Sequence, residues 1–433
     1  MRVRLHYVLV GAAMSLLGLA CACRRGGDLG ANGDAIPLEI DKPFYVDKYS
    51  NLFREVRYVA LEETRNSIVG TVSKLEVTND GDFIVFDFPA GAVFRFASDG
   101  RFLNNVGFRG PGGKEYVFPE DVKYDPFVNA VLVYDGAKRS VMSYSVEGDL
   151  LSTVQLTRGV GAIGVLDARH LICYMNNDET INGDEKGTNY KVITREGLIE
   201  KEFGEFGAEK ASFRPSAEHV FCYQQGRCLC LPPYSYTLFE ARPDSLEPIA
   251  TFDLSDRAIP SEWLCGDFPQ FYKKYRERTD LVEISSVYET EKYYLLNLVK
   301  DRNPLLCFVR KDDGKVVSLS YEMVNDLYGM VGSNNLAYAK DDKLYFPLES
   351  VCFKNRASFL RLVPENTSLK DVVMEKKAFF YTFVSQAYGS DAAQTYVDSL
   401  TSSDFSLVPG ERELVEEMSK KNNPIIQVCT LNI

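Results

Sequence analysis

Histidine and tryptophan are scarce in this 433-residue chain, with three His and a single Trp, Trp263, against 27 Phe and 25 Tyr. Only His170 and His219 lie beyond the first six residues, which leaves little support for a Ser-His-Asp triad. No G-x-S-x-G, H-E-x-x-H or EF-hand loop occurs, so the hydrolase, zinc-protease and calcium-loop signatures are missing. Positive charge is short as well. Lys and Arg number 49 against 61 Asp and Glu, a net charge of −12, and no long basic run follows the first 30 residues. Phosphate backbones require a clustered positive field, so nucleic acid is excluded as the expected partner. The apolar run at residues 7–20 is too short for a spanning helix.

What the chain does have is a core and a rhythm. Hydrophobic content of 45% with 25% charge suits a packed globular protein. Abundant Phe and Tyr favour pleated, half-buried surfaces. Turn signals recur at Asp99-Gly100, Glu147-Gly148, Glu196-Gly197, Asp244-Ser245, Asp313-Gly314 and Glu365-Asn366, in steps of 48, 49, 48, 69 and 52 residues. Each lies between short runs of alternating apolar residues. Strand-rich units repeating at this interval predict an all-β, six-bladed β-propeller with a small helical insertion and C-terminal helices. Within the propeller domain, residues 38–433, the 69-residue step places the insertion at about 256–280, with Pro269 at a helix start. The sixth blade is expected from strands at 329–339, 343–348, 358–363 and 372–374. Helices are expected between about 380 and 420, one of them at 411–420. A final strand, 425–431, should pair with a strand around 57–61 and close the ring, since closure removes exposed edges.

The amino terminus reads as an export signal, residues 1–20, with Arg2 and Arg4 ahead of the apolar run. The stretch ending Leu17-Gly-Leu-Ala-Cys21 resembles a bacterial lipobox, which implies a diacylglycerol thioether on Cys21. Cys23 is the alternative site, and a plain secretory cleavage the alternative process. Residues 21–37 are Gly- and Asp-rich and suit a flexible tether. Eight cysteines remain in the body, most inside apolar strand patterns where a free thiol acts as a small hydrophobe. A disulfide within the 222–230 hairpin stays open. A zinc site from His219, Cys222, Cys228 and Cys230 is disfavoured, because His219 and Cys222 fall on opposite faces of a regular strand.

Residues 107–116, Gly-Phe-Arg-Gly-Pro-Gly-Gly-Lys-Glu-Tyr, are followed by Phe118 and Asp121-Val-Lys-Tyr124. This stretch resembles the G-x-G-P-G-E-Y turn of exported six-bladed β-propeller lipoproteins of gut-type Gram-negative bacteria, relatives of NHL-like and TolB-like propellers. The ending Asn423-Pro-Ile-Ile-Gln-Val resembles that family's closing strand. Gly113 and Lys114 interrupt the motif, and its glycines by themselves read as a tight inter-blade turn. The resemblance implies a monomeric cell-envelope lipoprotein, held at the outer membrane by its lipid, that binds a glycan, a peptide or an envelope protein without catalysis. No cofactor or metal is expected. The alternative is a propeller-type hydrolase or lyase using channel-mouth carboxylates or a divalent metal. Propellers bind at the mouth of the central channel, where the loop at 176–188 and the Trp263 insertion are the candidates for shaping it. Trp263 either contacts a ligand or packs the inserted helix on the disc.

Overall fold

The computed structural model describes residues 35–40, 46–178, 186–320, 322–324, 327, 335–361 and 410–432. Three strands precede the first full unit: β1 (Ile36–Pro37), β2 (Val46–Lys48) and β3 (Phe53–Ala60). Five antiparallel four-stranded blades follow. The first is β4 (Lys74–Val77), β5 (Phe83–Asp87), β6 (Ala92–Phe96) and β7 (Phe102–Asn105). The second is β8 (Pro119–Asp125), β9 (Ala130–Asp135), β10 (Ser140–Ser145) and β11 (Leu150–Gln155). The third is β12 (Ala162–Val165), β13 (His170–Tyr174), β14 (Gly187–Thr194) and β15 (Ile199–Phe206). The fourth is β16 (Phe221–Gln224), β17 (Arg227–Cys230), β18 (Thr237–Ala241) and β19 (Leu246–Asp253), with β1 added in parallel outside β19. The fifth is β20 (Val282–Glu289), β21 (Tyr293–Lys300), β22 (Asn303–Arg310) and β23 (Val316–Ser320). A short β24 (Glu322–Val324) then pairs with β2.

The sixth blade is sewn from both ends of the chain. Its order is β25 (Tyr338–Lys340), β26 (Lys343–Leu348), β27 (Ile425–Leu431) and then β3, with Ile426 opposite Val59. The expected pairing of 425–431 with 57–61 is therefore present. The expected third strand at 358–363 does not begin where expected, and 362–363 lie outside the described residues. Residues Ser350–Leu360 form a helix instead, because Phe353, Ala357 and Leu360 recur at helical spacing and bury together against Val415 and Met418. The strand at 372–374, the turn at 365–366 and the helix before 400 lie outside the described residues.

We label the helices α1 (Tyr49–Leu52), α2 (Phe268–Glu277), α3 (Ser350–Leu360) and α4 (Glu411–Ser419). Helix α2 carries Pro at its first turn, as the insertion reading required. Helices α3 and α4 are joined by a buried ion pair between Arg356 and Glu411. No helix among the described residues is long and apolar enough to cross a membrane.

The six innermost strands, β4, β8, β12, β16, β20 and β25, touch in turn and return to β4, so the ring is closed. The apolar core falls between neighbouring blades. Ile84, Phe86, Val131 and Met142 fill the seam of blades one and two, and Leu231, Phe252, Leu296 and Leu298 that of four and five. The recurrent turn glycines serve those seams. Gly100 and Gly148 sit at φ of 91° and 97°, each against the outer strand of the preceding blade. A Cβ there would meet Ala60 O at 2.2 Å and Asn105 O at 2.4 Å. The turn that ends one hairpin is thus also the contact that locks one blade on the next.

Candidate functional site

In a propeller the first strand of each blade has a sheet partner on one side only, so its other edge faces the axis. Here those strands carry charge at alternate positions, Lys74 and Glu76 on β4, Asp121 and Lys123 on β8. A two-residue spacing puts each pair on one face of its strand. All four are at most 8% exposed. Lys74 Nζ donates to Asp121 Oδ1 at 2.5 Å, and the other oxygen, Oδ2, accepts the Ile163 amide at 2.9 Å. Asp121 therefore ties blades one, two and three. Lys123 Nζ donates to the Phe221 carbonyl across the axis at 2.6 Å and stands 3.7 Å from Glu76 Oε1.

Lys74, Glu76 and Lys123 line an axial cavity of about 240 Å³ together with His219, Cys222 and Tyr338. Its remaining wall is mixed, with Ser286 and Asn297 beside Val72, Leu75 and Val287. Asn297 Nδ2 reaches the Leu336 carbonyl and Ser286 Oγ, both at 2.7 Å. Gln224, which does not line the cavity, ties blades four, five and six by donating to Ala339 O at 2.6 Å and accepting from the Glu289 amide at 2.7 Å.

Burial governs the electrostatics. It lowers the Lys74 ammonium below the ordinary lysine value despite the Asp121 carboxylate. It raises Glu76 against the attraction of Lys123 and Lys74. For Lys123 burial is outweighed by Asp121 and Glu76, which hold the ammonium above its ordinary value. His219 is pushed down to about 3 by burial and by the neighbouring Lys74 and Lys123 cations. It is a neutral imidazole throughout the physiological range, and no partner holds its ring nitrogens among the described residues.

Several sequence expectations meet at this cavity. His219 and Cys222 were placed on opposite faces of one strand, but β16 begins only at Phe221. His219 lies in the turn before it, so both residues line the cavity. The cysteine hairpin holds no disulfide. Cys222 stands opposite Leu229 and Tyr223 opposite Cys228, so the thiols are out of register, and all eight described cysteines are free. Burial pushes the Cys222, Cys228 and Cys230 thiols well up. Among the described residues no three His, Cys, Asp or Glu side chains are placed to hold a metal ion.

Each inner strand starts at the face onto which the cavity opens, so connections entering inner strands, or joining second to third strands, lie on that face. The beginning of the 176–188 loop, residues 207–217 and the α2 insertion are all of this kind, and they assemble together. Asn176 and Asn177 donate to Pro215 O at 2.8 Å and Phe213 O at 2.5 Å, and Arg214 pairs with Asp178 at 2.7 Å. Phe213 packs on Tyr234, Phe268 and Phe271. Trp263 joins this cluster with Lys274 over its ring at 4.6 Å, and it does not line the axial cavity. Residues 179–185 and Cys21 lie outside the described residues.

The glycine-rich stretch is an inter-blade connection. Tyr116 is buried against Tyr144 with centroids 6.1 Å apart, and its hydroxyl accepts the Val93 amide at 3.3 Å. Glu115 accepts the Gly112 amide at 2.8 Å. Both side chains are occupied in holding the turn. A larger cleft of about 630 Å³ sits on the rim between Ile36–Pro37 and Lys311–Leu319. It is lined by a strand edge and a turn, without converging buried charge.

A family model described as "Domain of unknown function (DUF4934)" matches residues 37–358. No curated protein matches the chain. Among solved structures the chain is similar to a protein of Bacteroides fragilis NCTC 9343 described as exported, at 14% identity and a TM-score of 0.61, over 92% of this chain and 99% of that one. A member of the duf4221 family from Bacteroides vulgatus is 9% identical with a TM-score of 0.44, over 62% and 85% of the two chains. A virginiamycin B lyase from Staphylococcus aureus is 10% identical with a TM-score of 0.37, over 67% and 81%. At such identities the likeness concerns the fold alone, and the last two carry no functional weight.

Proposed function

The chain belongs to the DUF4934 family, whose description leaves its function open, and we propose that it is a non-catalytic binding module whose axial cavity receives a small polar group of an envelope glycan, peptide or protein. The single observation behind this reading is the pair of buried charge couples, Lys74–Asp121 and Lys123–Glu76, around a space of about 240 Å³. Apolar side chains of similar volume would close an axis with equal or greater stability, so buried ion pairs need another reason to be there. The space suits one sugar ring or one short side chain better than a drug-sized ligand, whose pockets begin at about 300 Å³. The leader features at residues 1–20 and the lipobox-like Cys21 support an exported, lipid-anchored protein at the outer membrane, and the acidic balance is compatible with no nucleic-acid role.

Catalysis is the second reading, and His219 beside Glu76 and Glu218 at one cavity favours it. Two facts weigh against it. A general base works best with a pKa near the working pH, and His219 sits near 3. Among the described residues no carboxylate orients its ring, and the Asp121 carboxylate is already neutralised by Lys74.

A panel of envelope glycans and peptides, titrated calorimetrically into the intact exported chain, tests the proposal. Saturable binding that Lys123→Met abolishes, with the ligand recovered unchanged by mass spectrometry, is the expected result. Chemical conversion of the ligand would move the case to catalysis, and binding indifferent to Lys123→Met would remove the cavity from consideration. For the anchor, incorporation of a labelled fatty acid should be lost in Cys21→Ala and kept in Cys23→Ala.

A further inference from the structure

The polar groups around the axial cavity are unevenly spent. Both oxygens of Asp121 are engaged, by Lys74 and by the Ile163 amide. Glu76 takes the Tyr124 amide and faces Lys123. The donors, by contrast, are in surplus. Lys74 uses one of its three N–H groups on Asp121, and Lys123 uses one on Phe221 O. Tyr338 is 7% exposed and lines the cavity, yet its hydroxyl has no hydrogen-bond partner among the described residues. The spare N–H and O–H groups of Lys74, Lys123 and Tyr338 are therefore open to a guest at the cavity.

Resting on the cavity reading above, we infer that the group received there is the carboxylate of an acidic sugar, a uronate, with Lys74, Lys123 and Tyr338 on its oxygens. A carboxylate offers about four acceptor sites in one plane, which matches two ammonium groups and a phenol. The rest of the cavity suits the sugar ring. Neutral His219 can donate to one hydroxyl and accept from another. Tyr338 also packs edge-on against Tyr288 and lies tilted on Tyr345, at centroid separations of 6.4 and 6.3 Å, which supplies an aromatic surface beside the donors. The two couples, Lys74–Asp121 and Lys123–Glu76, are together neutral, so an entering anion is balanced only by taking up a proton. Glu76, raised by burial, is the carboxylate most easily protonated when a third carboxylate enters.

Calorimetry on the intact chain with glucuronate and galacturonate, beside glucose, galactose and glucuronamide, tests this inference. Uronates should bind at least a hundredfold more tightly than the neutral sugars and the amide. Tyr338→Phe, which removes one hydroxyl and no volume of consequence, should weaken uronates about tenfold. Circular dichroism establishes that this variant is folded. If neutral sugars bind as well as uronates, the carboxylate assignment is wrong while the cavity remains the site. The same holds if uronates are silent and another ligand binds in a Lys123-dependent way. If uronates and the full glycan and peptide panel are all silent, both readings fall together.

Discussion

Asp121→Ala should be among the most damaging single substitutions in the molecule, and Lys74→Met/Asp121→Leu should be far milder. The single change strands the Lys74 ammonium, which is 8% exposed and has Asp121 as its hydrogen-bonded counter-ion at 2.5 Å. Breaking a buried pair from one side costs about 3–5 kcal/mol. It also orphans the Ile163 amide that Asp121 Oδ2 accepts at 2.9 Å, worth a further 1–3 kcal/mol or so. The double change removes both charges and fills the space, leaving only the Ile163 penalty, about 1–3 kcal/mol. Urea unfolding of wild type, Lys74→Met, Asp121→Leu and the double closes the cycle, with Asp121→Ala measured beside it, and a coupling of at least about 2 kcal/mol is expected. The double variant should at the same time lose ligand binding. Equal destabilisation by single and double would refute the reasoning, because the couple would then be no buried ion pair in solution. A stable double variant that still binds would refute the assignment of these charges to the site.

Glu283 lies on β20 beneath α2, hydrogen-bonded to Tyr275, and burial raises its carboxyl to about 7. The folded chain then holds a proton that the unfolded chain releases above its ordinary value of 4.5, so stability falls as pH rises between about 4.5 and 7. Glu283→Gln should gain up to about 3 kcal/mol at pH 8 and nothing at pH 4, read from thermal unfolding at both. His170 donates between Asp167 at 2.8 Å and Glu200 at 2.9 Å, and the Asp167 hydrogen bond raises it above 6.5. Its contribution is full below about pH 6.5 and lost as pH rises through the raised folded value, so His170→Asn should cost less than about 1 kcal/mol at pH 5.5 and nothing by pH 9. Gly148→Ala, strained at φ 97° and 2.4 Å from Asn105 O, should cost about 1–3 kcal/mol by urea unfolding. Gly226→Ala has φ 76° with open space around it and should cost less, about 1 kcal/mol.

Legibility followed the range of the interaction. The Asp-Gly and Glu-Gly turns were visible because a φ-positive residue between alternating runs is a property of neighbouring residues, and Gly100, Gly148 and Gly197 all adopt it. The insertion helix was visible for the same reason, through Pro269. Residues 358–361 were misread because Phe359-Leu-Arg-Leu-Val363 alternates well enough for a strand, and only the burial of Phe353, Ala357 and Leu360 against α4 decides for helix. The site also has a signal in the sequence. It lies in a Lys-x-Glu on one inner strand and an Asp-x-Lys on the next, whose alternate charges mark the face that turns to the axis.

From its sequence alone, this protein is a ring of six strand-rich units with its last strand returning to its first, since turns, periods and end segments are written locally. Which side chains meet on the axis was settled only by closure. Lys74 and Asp121 are 47 residues apart and Lys123 and Phe221 are 98 apart. Curving six sheets around one line brings those strand edges within hydrogen-bonding distance, and no local preference encodes that curvature.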